Sequence, residues 1–385
     1  MTLIRNRDPW SSVYGRNNMK VAILSKALIV CAYRSKLEQL AALPDIEVIA
    51  IVPPEWRDER GVMRMEDSLD NVYELIVTPI AFNGNFHLHF YPQIDRLLQR
   101  IRPDILHIDE EPYNLATVLA LRSAQRVKAR TLFFSWQNLN RSYPFPFNRI
   151  ERYVLNHVDA CIAGNQDAQT VWRAKGYRGP IEIIPQFGVD QDMFAPAPRS
   201  RDGTFVIGYV GRFVLEKGID ILLQALSKLT GSWRADLLGS GPDQTRLIDL
   251  AQRLHIENRV RCLPWIPSTR LPDYYHSLDC LVLPSRTQSN WKEQFGRALV
   301  EAMGCGVPVI GSNCGEIPNV IADAGLIFPE GNVDALRQLL INLQENPAMR
   351  ADLSRRGRQR VLDQFTQAEI ARKTYGVYQR IKQAA

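Results

Sequence analysis

Short apolar runs alternate with helix-patterned stretches along this whole chain, and the alternation occurs in two successive series. Runs of that length, separated by helical segments, satisfy their backbones in parallel sheets covered by helices. In the first series the strand-like runs are 20–25, 48–53, 75–80, 105–109, 131–136, 160–165 and 181–185, with helix-like 35–43, 91–102, 115–128 and 149–157 between them. The second series runs through 204–211, 235–239, 260–265, 280–284, 307–312 and 325–329, and 333–382 reads as wholly helical. Between the series, 190–202 holds Pro196, Pro198, Arg199, Ser200 and Arg201, the composition of a linker. The expected fold class is α/β: two doubly wound Rossmann-like domains facing a central cleft, where such folds take ligands. The expected boundaries are a tail over 1–18, a first domain over 19–190, a linker over 191–202 and a second domain over 203–365. A last helix, 366–385, is placed to cross back to the first domain.

A chain of 385 residues exceeds one comfortable core, and 45% hydrophobic with 23% charged residues is a globular balance. No apolar run approaches the roughly 18 residues of a membrane span, and residues 1–18 lack the apolar stretch of a signal peptide. A cytoplasmic protein is expected. The amphipathic segment 94–101 suits either packing on the sheet or peripheral contact with the inner face of a membrane. Cys31, Cys161, Cys262, Cys280, Cys305 and Cys314 are scattered without a CxxC pair, so reduced structural thiols are expected. The net charge of +6 suits anionic ligands, while no basic stripe with interleaved aromatics points to nucleic acid.

Within the second series, Glu293 and Glu301 flank seven residues, with Phe295-Gly296 just after the first glutamate. From Phe295 the residues suit a helix that stops at Gly304-Cys305-Gly306, which puts the carboxylates about 12 Å apart near one face. The helix start between them offers unpaired N–H groups to a phosphate. Carboxylate, anion-binding turn and carboxylate together suit a ligand with hydroxyls at both ends and phosphates between, such as a nucleotide sugar. Two solvated glutamates beside an ordinary helix are the plain alternative. Upstream, Gly211-Arg212 and Lys217-Gly218 place two cations after a strand, where they can neutralise a diphosphate. Gly239-Ser240-Gly241-Pro242 forms a turn after the next strand, either open to a ligand or merely a strand-to-helix corner. It lacks the third glycine of the dinucleotide fingerprint, so NAD is not expected. Trp265 and Ile266 end a further strand between prolines, where a buried tryptophan is the plain reading.

In order and spacing, residues 211–331 resemble the retaining, family-4-type glycosyltransferases of the GT-B fold, also known as group 1. The resemblance implies that Glu293 meets the sugar and that Gln294, Phe295, Gly296 and Arg297 meet sugar or phosphate. Glu301 would hold the ribose, Gly211, Gly239 and Gly241 would line the donor cradle, and Trp265 and Ile266 would read the base. It also implies catalysis without an enzyme nucleophile, metal or cofactor: Arg212 and Lys217 stabilise the leaving diphosphate of a UDP-, GDP- or ADP-linked sugar. The implied acceptor is a saccharide or lipid-linked saccharide of a surface polysaccharide or glycoconjugate pathway. A nucleotide-sugar epimerase or hydrolase of the same fold, or a non-catalytic sugar-nucleotide-binding protein, are the rivals.

The first half departs from the family pattern. Ser25 to Val30 replaces its glycine-rich loop, and Phe134-Ser135-Trp136-Gln137-Asn138 stands where relatives carry a histidine. Glu111, Trp136, Gln137 and Asn138 are the acceptor-side candidates. His107 reads as structural, Glu110 as cleft-facing or solvated, and Arg34, Lys36 and Arg141 as weak candidates for an anionic acceptor.

Overall fold

The computed structural model describes residues 18–58, 61–66, 72–198 and 203–383. Most of the expected tail, 1–17, and the linker positions 199–202 lie outside the described residues.

Seven strands build the first parallel sheet: β1 (Met19–Leu24), β2 (Ile46–Val52), β5 (Glu74–Val77), β6 (Ile105–Ile108), β7 (Arg130–Ser135), β8 (Ala160–Ala163) and β9 (Ile181–Ile183). Their order is β5-β2-β1-β6-β7-β8-β9. An antiparallel pair, β3 (Glu55–Asp58) with β4 (Gly61–Arg64), stands apart. Apolar patterning missed it because Glu55, Arg57 and Asp58 leave only Trp56 to bury. The helices are α1 (Ser35–Ala41), α2 (Ile94–Ile101), α3 (Leu115–Arg126), α4 (Phe147–His157) and α5 (Gln166–Ala174). Central strands are buried on both faces, as β6 and β8 show, so their sequences read as continuous apolar runs.

A second parallel sheet is ordered β12-β11-β10-β13-β14-β15. It comprises β10 (Phe205–Val210), β11 (Trp233–Leu238), β12 (Val260–Leu263), β13 (Cys280–Leu283), β14 (Val309–Ser312) and β15 (Leu326–Phe328). Its helices are α6 (Ile219–Ser227), α7 (Gln244–Arg253), α8 (Leu271–His276), α9 (Arg297–Gly304) and α10 (Ile317–Ile321). The tail is not one helix but three: α11 (Val333–Glu345), α12 (Pro347–Gln364) and α13 (Gln367–Gln383). Asn346 breaks the first from the second, because its side chain accepts from Met349 N and caps α12 ahead of Pro347.

Each sheet reverses direction once, between β1 and β6 and between β10 and β13. At such a point the two flanking loops part to opposite faces and leave a crevice at the strand C-termini, where doubly wound folds hold ligands. The chain crosses between units twice, and the crossings are bonded side by side: Val189 N donates to Phe365 O at 2.9 Å and Gln367 N to Val189 O at 3.1 Å. A Cβ on Gly188 would stand 2.6 Å from the Gln367 backbone, so only glycine lets the segments meet. Beyond them, α13 packs on α1, and His107 Nδ1 lies 2.7 Å from Tyr378 Oη.

Ile94, Leu97, Leu98 and Ile101 bury the apolar stripe of α2 in the core beside the first sheet. Of the two readings of α2, packing on the sheet is therefore the one its apolar face takes. Among the described residues no helix is long and apolar enough to cross a membrane, and all six cysteines are free thiols.

Candidate active site

The crevice of the second sheet is assembled by loops that need glycine where backbone meets backbone. A Cβ on Gly239 would stand 1.9 Å from Gly211 O, and one on Gly241 would stand 2.3 Å from Phe213 O. Phe213 N donates to Ser240 O at 2.8 Å and Asp243 N to Phe213 O at 3.0 Å. These glycines therefore stitch the β10 and β11 loops together, so the turn's first duty is structural. Arg212 lies exposed on this seam, and its carbonyl accepts from Tyr209 Oη at 2.9 Å.

Lys217 ends a single 3₁₀ turn, Leu215–Lys217, closed by Gly218 at φ 65°. A Cβ there would stand 2.0 Å from Pro284 O, which ties this turn against the loop after β13. Arg286 adds a clamp: Nε donates to Leu215 O at 3.0 Å and a terminal nitrogen to Asp220 at 3.2 Å. The result brings Lys217 Nζ to 2.6 Å from Glu293 Oε2, an oxygen that also accepts from Ser285 Oγ at 2.9 Å. The ammonium lies 5.0 Å from the centre of the Trp291 ring.

Glu293 is not on the helix. Gly296, at φ 81°, occupies the N-cap position and α9 begins only at Arg297, so Phe295 belongs to the preceding loop and the expected helical face relation of the two glutamates does not hold. Glu301, in the helix, is 5% exposed. Its two carboxylate oxygens accept from Arg297 Nε and Tyr275 Oη, each at 2.7 Å. Trp265 overturns the reading of a buried tryptophan: it is 61% exposed, on an exposed loop with Ile266 half-buried beside it. Among described residues no cluster of metal-ligating side chains occurs.

Across the seam, the first unit presents three consecutive acidic residues after β6. Burial raises the Asp109 carboxyl, against Lys36 and hydrogen bonds from Ser25 and Gln186. Burial also acts on Glu110, but the Lys26 ammonium and His89 outweigh it and hold the pKa at about 2. Burial takes Glu111 up to about 7, although Ser135 Oγ and Trp136 N donate to it at 2.6 and 2.9 Å. Lys36 is brought down to about 8 by burial.

The acceptor-side candidates separate in the structure. Trp136 lies over Gly164, where a Cβ would stand 2.3 Å from the ring, and Nε1 donates to Gln186 Oε1 at 2.9 Å. Its ring centre is 6.1 Å from that of Phe295, so the tryptophan packs at the seam between the units. Gln137 is engaged within its own loop, donating to Leu139 O at 3.1 Å, and Asn138 reaches across to Lys292 O at 3.1 Å. Arg34 is fully buried on the carbonyls of Leu28, Ile29 and Glu66, Lys36 is 6% exposed, and Arg141 donates to Asn290 O at 2.5 Å. The first two are structural cations and the third a tie between units.

Ser285, Trp291, Tyr275 and Arg286 complete this arrangement and carried no individual signal in the sequence. Ser285 was legible only as the second residue after β13, following Pro284. Tyr275 depends on how α8 lies beside α9, which no local pattern encodes.

Two facing doubly wound units, each with its crevice turned to a common seam, define the GT-B class. The chain belongs to the glycosyltransferases of group 1 and family 4 type: "Glycosyl transferases group 1" matches residues 190–360 and "Glycosyltransferase Family 4" matches residues 37–192. It is 25% identical over 343 residues to the N-acetyl-alpha-D-glucosaminyl L-malate synthase of Bacillus anthracis, covering 80% of this chain and 85% of that one. It is 32% identical to the D-inositol 3-phosphate glycosyltransferase of Mycobacteroides abscessus over 50% of this chain and 46% of that protein, so the match spans about half the length of that relative. In structure it resembles HepE of Anabaena, solved in complex with UDP, with a TM-score of 0.72 at 17% identity over 94% of this chain and 99% of that one. Sucrose-phosphate synthase from Thermosynechococcus elongatus gives 0.70 at 19% identity, covering 96% and 100% of the two chains.

Proposed function

We propose that the protein transfers a sugar, with retained anomeric configuration and without a metal, from a nucleotide-diphosphate donor to a hydroxyl of a saccharide or lipid-linked acceptor. The observation that carries this reading is the Lys217–Glu293 pair, 2.6 Å apart at the crevice of the second sheet, with the exposed Arg212 on the adjoining loop. Lys217 and Arg212 supply the charge that a departing nucleoside diphosphate needs. The bond between the anomeric carbon and the diphosphate oxygen breaks, and the acceptor oxygen bonds to the same face of that carbon. The acceptor's proton goes to the departing phosphate. Glu293 orients the sugar and is paired with Lys217, for which a phosphate competes. Glu301, fixed by Arg297 and Tyr275, meets the ribose, and exposed Trp265 offers a stacking face to the base.

The HepE neighbour binds UDP and the curated relatives are named as glycosyl-transferring enzymes, which supports a UDP-, GDP- or ADP-linked donor. We place the activity in the cytoplasm, in surface polysaccharide or glycoconjugate synthesis, with lipid-linked acceptors met at the inner face of the membrane. The test is thermal shift with UDP-, GDP- and ADP-sugars, followed by nucleotide release in the presence of saccharide acceptors. A stabilising donor that is turned over, with the linkage retained by NMR, supports the reading. Binding with no turnover on any acceptor refutes it in favour of a sensor, and recovery of an isomerised sugar nucleotide refutes it in favour of an epimerase.

A further inference from the structure

The loop that carries Glu293 is held from both sides of the seam. Its own unit fixes the glutamate's backbone, with Glu316 N donating to Glu293 O at 3.1 Å, and fixes the carboxylate through Lys217 and Ser285. The first unit supplies the rest. Asn138 Nδ2 donates to Lys292 O at 3.1 Å and lies 3.5 Å from Glu293 O. Asn165 Nδ2 donates to Gln294 O at 2.8 Å, and Gln294 Nε2 returns a bond to Trp136 O at 3.0 Å. Lys292 Nζ lies 2.6 Å from Asp167 Oδ2.

Two features set these amides apart from ordinary surface contacts. Asn138 is 6% exposed and Asn165 is fully buried. Asn165 is also aimed: its Oδ1 caps α5 by accepting from Ala168 N at 2.8 Å, which leaves Nδ2 pointing over the seam. A buried amide donor without an acceptor is costly, so both groups favour the juxtaposed units over separated ones. The loop between β13 and α9 has no sheet or helix of its own to hold it, and four of its residues bond to the first unit.

We infer that Asn138 and Asn165, with the Gln294 side chain, are positioning residues that couple closure of the two units to the placement of Glu293. The inference rests on the proposed glycosyl transfer. Closure brings the acidic loop to its working position and closes the donor against water. Opening releases the loop and leaves the glycine-stitched cradle of the second sheet to bind nucleotide by itself.

The test uses Asn138→Leu, which removes the donor at similar volume, and Asn165→Asp, which keeps the α5 cap and deletes Nδ2–H. UDP, GDP and ADP are titrated calorimetrically, nucleotide release is measured at saturating sugar nucleotide, and the radius of gyration is measured with and without nucleotide. The expected result is affinity within about threefold of wild type, turnover lower by about tenfold or more, and a larger radius of gyration than wild type. Turnover within about twofold of wild type overturns the inference, as does a parallel fall of affinity and turnover, which marks a merely structural role. If Asn138→Leu does not fold, Asn165→Asp decides alone. A wild type that binds none of the nucleotides refutes the proposed function, and the scattering comparison then decides the coupling by itself.

Discussion

Replacing Lys217 with methionine removes the cation from a carboxylate that is poorly placed to find water. The Glu293 side chain is 9% exposed and that of Lys217 19%, with Nζ 2.6 Å from Oε2. At an effective dielectric of about 20, unit charges 2.6 Å apart attract by about 6 kcal/mol, most of it offset by desolvation of the two groups. Removing one partner leaves that desolvation uncompensated apart from the Ser285 hydroxyl, 2.9 Å away. Loss of one member of a buried pair costs about 3 to 5 kcal/mol, and the partial wetting of Lys217 places this site at about 3. With about 2–4 °C per kcal/mol for a unit of this size, Lys217→Met lowers Tm by about 6–12 °C. Adding Glu293→Gln removes the orphaned charge, so the double variant recovers most of that loss while both variants lack turnover. Circular dichroism melts and nucleotide-release assays on the same samples separate the effects. A single variant that melts within a degree or so of wild type, or a double variant no more stable than the single one, refutes a charge-compensated pair.

Glu111 has a folded pKa of about 7 against an ordinary 4.5, so its protonated form is favoured in the fold. Its contribution is fully present below about pH 4.5 and lost as pH rises through about 7, worth about 3 kcal/mol in all. Urea midpoints measured across that range fall for wild type relative to Glu111→Gln, and parallel profiles contradict the assignment. Gly239→Ala puts a methyl 1.9 Å from Gly211 O, so it unfolds the second unit or lowers its Tm by about 10 °C or more, and a wild-type melt rejects the stitched-loop account. Tyr275→Phe removes one of two donors to Glu301 and weakens nucleotide binding by about tenfold, the value of a hydrogen bond to a charged group, as read by calorimetry. Glu301→Ala weakens free UDP, GDP or ADP more than Glu293→Ala does, and equal losses contradict the placement of Glu301 at the ribose.

Much of the fold was legible because parallel strands buried on both faces become uninterrupted apolar runs, as in Phe205–Val210 and Cys280–Leu283. The cradle loops were legible through glycine and charge: Gly211, Gly239 and Lys217 all follow strands at expected intervals. What the sequence concealed is contact between distant segments. The αL conformation of Gly296 shortens α9 and moves Glu293 into a loop, a choice made by the packing of Leu283 and Leu299 around it. Trp265 read either as a base-facing residue or as a core tryptophan between prolines, and its strand stops at Leu263 so that the next residues turn outward. Trp136, an acceptor-side candidate in the sequence, fills the space above Gly164 and meets Phe295. Buried Arg34, held by two carbonyls of its own loop and by that of Glu66 beyond β4, replaces the missing glycine loop with a cross-braced one, which charge alone does not reveal.

Charge is divided unequally across the seam, and the division bears on which substrate goes where. On the first unit, Asp109, Glu110 and Glu111 sit together after β6, but each is compensated at home. Glu110 is paired with Lys26 and approached by His89 at 3.4 Å, Asp109 is bonded by Ser25 and Gln186 with Lys36 nearby, and burial raises Glu111 to about 7. On the second unit, exposed Arg212 and the half-buried Lys217 supply cations, Lys217 being paired with the Glu293 carboxylate. Under the proposed function a diphosphate binds against these two cations. On that reading a neutral acceptor belongs on the first unit, where the acidic residues are compensated locally. Under the proposed function the diphosphate is therefore placed against the second unit and a neutral acceptor against the first, with the Asn138 and Asn165 contacts between them.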